Sequence, residues 1–142
     1  MNSLFFAILL FIAAPGAPKT AAANPHVTIE LKSPASLAAG SNADLALTFR
    51  PKKGIHINAE PAIDVVPEKN PIFSSIGAVN PAKNKEGYVD ASKPVKVAAV
   101  VSASAPKGAH TVKVRVVYYL CSDAEGWCNR DEQTVDLRVT VK

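Results

Sequence analysis

The sequence predicts an all-β fold, an antiparallel sandwich, and three observations predict it. Apolar residues recur at every second position. Pro and Gly clusters interrupt those runs at short intervals. Past residue 23, no stretch of helical length keeps an i, i+3, i+4 apolar pattern free of Pro or Gly. In chain order, residues 4–14 come first, an unbroken apolar run too short to span a bilayer, which needs roughly 20 such residues. The run meets Pro15, Gly16 and Pro18 and then the small tract Ala21, Ala22, Ala23. Residues 1–23 therefore read as an export signal cleaved after Ala23, and residues 24–142 as one exported domain, periplasmic or secreted. Within it, Val27, Ile29 and Leu31 alternate with polar neighbours, as do Leu45, Leu47 and Phe49, then Ile55 and Ile57. The pattern continues in Val95, Val97, Ala99 and Val101, in Val112, Val114, Val116 and Tyr118, and in Val135, Leu137, Val139 and Val141. Lys113, Arg115, Asp136 and Arg138 occupy the opposite parity, so each strand has one wet face. Residues 68–90 hold Pro71, Gly77, Pro81 and Gly87 and a polar run at 83–86, and read as a long excursion between two sheet strands. The spacing suits roughly seven short strands of an immunoglobulin-like sandwich.

Composition limits the function classes. With 142 residues, 48% hydrophobic and 20% charged, the chain has room for a single core. Its net charge of +4 falls to +3 when Lys19 leaves with the signal, and no basic block stands out, which argues against nucleic acid as a partner.

The informative segment runs from Tyr118 and Tyr119 through Leu120 and Cys121, turns through Asp123, Glu125 and Gly126, and closes on Trp127 and Cys128. Two cysteines this close in an exported chain can form a disulfide. Three readings stand side by side: a structural staple, a redox couple and part of a metal site. As a staple the pair is weakly placed, since closing about eight residues removes only roughly 2.5 kcal/mol of unfolded-state entropy. As a metal site it lacks company: six residues separate the cysteines, His26, His56 and His110 lie far from them, and Met1 is the only methionine. No metal or other cofactor is expected. There is no phosphate-binding Gly-rich loop and no G-x-S-x-G elbow. Asp123 with Glu125, and Asp131 with Glu132, read as solvated turn acids. Beside thiols, such charges disfavour thiolate.

A tyrosine-ended strand running into a Cys-loop-Cys hairpin, preceded upstream by Gly54-Ile55-His56-Ile57-Asn58 and by Pro61, resembles the N-terminal periplasmic domain of the thiol:disulfide interchange protein DsbD family. The likeness extends over residues 24–142, although five residues separate the cysteines in the best-known members and six do here. It implies a pair that cycles between dithiol and disulfide. Electrons would come from a thioredoxin-like or membrane-embedded reductase and pass to exported disulfide-containing proteins through mixed disulfides. Carried over by position, Cys128 forms the mixed disulfide and Cys121 resolves it. Tyr88, in residues 83–90, is the nearest candidate for the aromatic of a cap loop. The family's multi-helix membrane part and thioredoxin-like domain have no counterpart in these 142 residues, so the donor is expected to be another protein.

Around the pair, His56 and Asn58 are expected to support the hairpin by hydrogen bonds from a neighbouring strand, or else to form a polar edge after the residue 51–54 turn. Tyr119 belongs to the same supporting group, and Trp127 is expected over the sulfur or at a partner contact. The alternative function is a protein-interaction module in which the Cys121–Cys128 bridge only rigidifies the hairpin.

Overall fold

The computed structural model describes residues 24–142; the expected signal over residues 1–23 lies outside the described residues. Eight strands follow in order: β1 (Val27–Lys32), β2 (Asn42–Pro51), β3 (Ile55–Ile57), β4 (Asp64–Pro67), β5 (Phe73–Val79), β6 (Val95–Val101), β7 (Gly108–Ser122) and β8 (Trp127–Val141). No helix occurs among the described residues. One antiparallel sheet runs β1-β2-β6-β5. In the other, β7 is central: β8 pairs along one flank, while β3 and β4 share the opposite flank in succession. The chain is an immunoglobulin-like antiparallel sandwich.

The period-two pattern places the core. In β6, Val95, Val97, Ala99 and Val101 turn inward and Lys96, Ala98 and Val100 outward. Leu45, Leu47 and Phe49 of one sheet meet Val112, Val114, Val116, Tyr118 and Leu120 of the other in a single cluster. Phe49 and Tyr118 meet edge to face, with centroids 5.4 Å apart.

Tyr118 is fully buried, so its hydroxyl needs a partner. It donates to Asp131 Oδ2 at 2.7 Å and accepts from Gln133 Nε2 at 2.6 Å. Gln133 Nε2 also donates to the Val27 carbonyl at 2.9 Å, and Asn24 Nδ2 donates to Asp131. This polar seam joins β1 to β8 where the two sheets meet. Burial, then the Asp131 contact, pushes the Tyr118 phenol well above its ordinary value of 10.0. Asp131 is therefore no solvated turn acid, as the sequence suggested; it is half-buried on the inward side of β8.

Two further expectations change. Residues 68–90 are not one excursion, because they contain β5, an edge strand of seven residues. β5 pairs with β6 through two register shifts, between Phe73 and Ser75 and between Ile76 and Val79, which erase the alternation that marks the other strands. β7 and β8 run to 15 residues each where short strands were expected, and both cysteines lie in them, one residue pair back from the connecting loop.

Candidate functional site

β7 and β8 are joined by residues 123–126 alone. Gly126 takes φ +71°, its N–H donates to the Ser122 carbonyl at 2.8 Å, and Glu125 N–H donates to Ser122 Oγ at 3.3 Å. The ladder then pairs Ser122 with Trp127 and Cys121 with Cys128 without a bulge.

The phase of this ladder follows from its neighbour. Asn58 N–H donates to the Tyr119 carbonyl at 2.8 Å, so Tyr119, and Cys121 two residues on, direct their backbone groups toward β3 and away from β8. Cys121 and Cys128 are thus a non-hydrogen-bonded pair, the closer of the two antiparallel spacings, with Cα atoms 4.1 Å apart and the sulfurs bonded. Their parity is that of Tyr119 and opposite to that of Leu120 and Tyr118, so the disulfide lies on the face of the sheet turned away from the core. The two cysteines differ in access. Cys121 is 6% exposed, whereas Cys128 is an exposed residue.

The supporting residues converge on that face. His56 stands opposite Cys121 in the β3–β7 register, with Nε2 2.8 Å from Asp123 Oδ2 in the hairpin loop. Asn58 Oδ1 lies 3.4 Å from Cys121 Sγ. In the disulfide that sulfur carries no proton; as a thiol at the same place it can donate to the amide oxygen. Tyr119 is half-buried on the same face and opposite Arg130.

Residues 83–90 form a small hairpin of their own, with Lys83 bridging Val89 and Asn84 N–H donating to the Tyr88 carbonyl at 2.8 Å. It adds to the edge of β3: Val89 N–H donates to the Ile57 carbonyl at 2.9 Å, and Tyr88 bridges Asn58. Tyr88 consequently shares the outer face and stacks flat on His56, with centroids 4.5 Å apart and planes 10° from parallel. Its ring covers His56, which borders Cys121.

Trp127 lies elsewhere than over the sulfur. Adjacent to Cys128 in a regular strand, it points to the opposite side, where it meets His26 at 5.1 Å between centroids, packs against the core, and donates to Glu125 Oε2 at 2.6 Å. One member of the site escaped the sequence reading, Asp123 as the partner of His56; 67 positions separate the two, and only the β3–β7 pairing brings them together. Among the described residues, no three His, Cys, Asp or Glu side chains gather as a metal site.

No protein-family model and no curated protein matches the sequence. Solved structures similar to it include a cohesin module from a Clostridium perfringens family 33 glycoside hydrolase, at 11% identity and a TM-score of 0.41, covering 82% of this chain and 98% of that one. AggA, the major subunit of aggregative adherence fimbriae type I from Escherichia coli, is 11% identical with a TM-score of 0.40, over 84% of this chain and 97% of AggA. Murine CRIg is 10% identical with a TM-score of 0.37, over 81% and 98%. The fold assignment stands on the two sheets themselves.

Proposed function

We propose that this chain is an exported thiol/disulfide exchange domain whose working group is the Cys121–Cys128 pair. The observation that carries the reading is the unequal access of the two cysteines within one cross-strand disulfide: Cys128 is exposed and Cys121 is covered. Exchange needs one sulfur that a partner can attack and one that can leave. A staple needs neither, and this bridge ties two strands already paired over 15 positions.

The step is a displacement at sulfur. A thiolate of a thioredoxin-like or membrane-embedded reductase attacks Cys128 Sγ; its bond to Cys128 forms as the Cys121–Cys128 bond breaks. The electron pair of the broken bond leaves on Cys121, which takes a proton from water and finds the Asn58 amide oxygen beside it. The donor's second thiolate then attacks the donor sulfur of the mixed disulfide and releases Cys128, so two electrons have entered. In the outward direction, the Cys128 thiolate attacks the disulfide of an exported acceptor and Cys121 resolves the adduct. The resemblance to the DsbD amino-terminal domain supports the same assignment of roles.

The test is the reduction potential of the protein, measured by equilibration in graded thiol/disulfide buffers and counting of alkylated cysteines by mass. A reversible two-electron couple above about −300 mV is expected. A pair that stays oxidised until the fold is lost would leave a disulfide-stapled binding module instead.

A further inference from the structure

The outer flank of β8 is a sheet edge that the fold leaves open over residues 128–132, and its backbone phase can be read twice. Because Tyr119 turns its carbonyl toward β3, its partner Arg130 turns its own N–H and C=O away from β7, and so do Cys128 and Glu132. At the far end of the strand, the Leu37 N–H donates to the Thr140 carbonyl at 2.8 Å, and Lys142 N–H donates to the Leu37 carbonyl at 3.0 Å. Thr140 shares the even parity of Cys128, Arg130 and Glu132, so the two observations agree. Leu37 also shows that this edge accepts extended chain, as a parallel bridge at Val141.

Between Leu37 and the hairpin tip, access varies. Residues 133–138 lie beside β1, where the Gln133 side chain reaches the Val27 carbonyl. Cys128, Asn129, Arg130 and Glu132 are exposed, and among the described residues none pairs with their backbone on the outer flank.

We propose that residues 128–132 form the docking strand for an extended, cysteine-bearing segment of the exchange partner. This rests on the exchange reading and names how the partner is held. Cys128, the exposed member of the pair, is also a residue whose N–H and C=O point into the open edge. A strand added there places its residues about 4.5–5.5 Å, Cα to Cα, from those they face. That spacing overlaps the range a disulfide spans, about 4.4–6.8 Å. Backbone pairing therefore brings the attacking sulfur to Cys128 whatever the partner's side chains are, which suits a relay with several acceptors.

The probes are two synthetic seven-residue Thr/Val peptides with one central cysteine, identical except that one is N-methylated at alternate residues and cannot pair along an edge. Rates of reduction of the intact protein's disulfide by each are compared with the rate for glutathione. The unmodified peptide is expected to react about tenfold faster than its N-methylated twin, the worth of one or two backbone hydrogen bonds. Arg130→Pro, which removes one outward N–H, should abolish most of that preference when each peptide rate is divided by the variant's own glutathione rate. Equal rates for the two peptides would overturn the docking strand while leaving the exchange reading intact.

If glutathione itself leaves the folded protein oxidised, the exchange reading fails, and docking is then judged separately. Each peptide is coupled chemically to Cys128 in Cys121→Ala, and amide hydrogen exchange is read at Arg130 and Glu132. Protection with the unmodified peptide only supports the docking strand. Equal protection in both adducts overturns it. So does protection of the same amides that rises with protein concentration in the absence of peptide, because the edge would then belong to a second copy of the chain.

Discussion

At the scale of single residues, the site is one covered cysteine with Asn58 against its sulfur and His56 opposite it in the register. A neighbour within hydrogen-bond reach favours Cys121 as the leaving sulfur, and the Asn58 amide oxygen lies 3.4 Å from it. An amide serves either protonation state, since its oxygen accepts from a thiol and its NH2, after rotation, donates to a thiolate. A carboxylate in the same place serves only the thiol, because its charge opposes the thiolate at short range. Asn58→Asp should therefore slow reduction of the Cys121–Cys128 pair by small thiols several-fold at low ionic strength. The effect should shrink as salt is added, while Asn58→Ala slows the reaction without that salt dependence. Stopped-flow reduction at two salt concentrations reads both. Identical salt profiles for the two variants would remove Asn58 from the chemistry.

At the scale of elements, the hairpin separates what the disulfide does from what the ladder does. β7 and β8 pair in unbroken register from Gly108 opposite Val141 to Ser122 opposite Trp127, so the turn is held whether or not the sulfurs are joined. Replacing both cysteines by alanine should cost about 2.5 kcal/mol, the entropy of a loop this short, and leave a cooperative unfolding transition. Loss of the folded state altogether would make the bridge structural. The turn has its own constraint. Gly126 sits at φ +71° with nothing within 4 Å of where a Cβ would stand, so Gly126→Ala pays only for backbone conformation. The expected loss is about 1 kcal/mol, read as a lower denaturant midpoint with an unchanged slope. The strands that form the core were legible in the sequence because alternation survives wherever one face is buried, as in β6. β5 was not, because its bulged pairing breaks that alternation at the edge of the sheet. The site was legible in part. Cys121, Cys128, His56 and Asn58 were named from the residues that carry the resemblance, and the β3–β7 and β7–β8 pairings put them on one face. Asp123 as the partner of His56, the stacking of Tyr88 on that His, and the turn of Trp127 toward His26 depend on which strands pair, and a single chain's local pattern does not contain that.

At the scale of the whole molecule, two sheets of different reach are closed by one polar seam. The apolar cluster sets the energy of the sandwich, and the Tyr118 hydroxyl with Asp131, Gln133 and the Val27 carbonyl sets how β1 and β8 come together at its edge. Because burial and the neighbouring carboxylate raise the Tyr118 phenol above its ordinary value of 10.0, the folded state holds that proton more tightly than the unfolded chain does. The sign of the linkage follows. The contribution is fully present below about pH 10, where the phenol is protonated in both states, and is lost as pH rises toward the elevated folded value. Stability should thus decline on the alkaline side beginning near pH 10, and Tyr118 should be missing from the reversible phenolate titration of the folded protein, its absorbance arriving only with unfolding. Tyr118→Phe leaves Asp131 and Gln133 without their shared partner, so it should cost about 2 kcal/mol at neutral pH and flatten the alkaline decline. A variant that keeps the wild-type alkaline slope would place the origin of that slope outside the seam and leave the seam a matter of geometry alone.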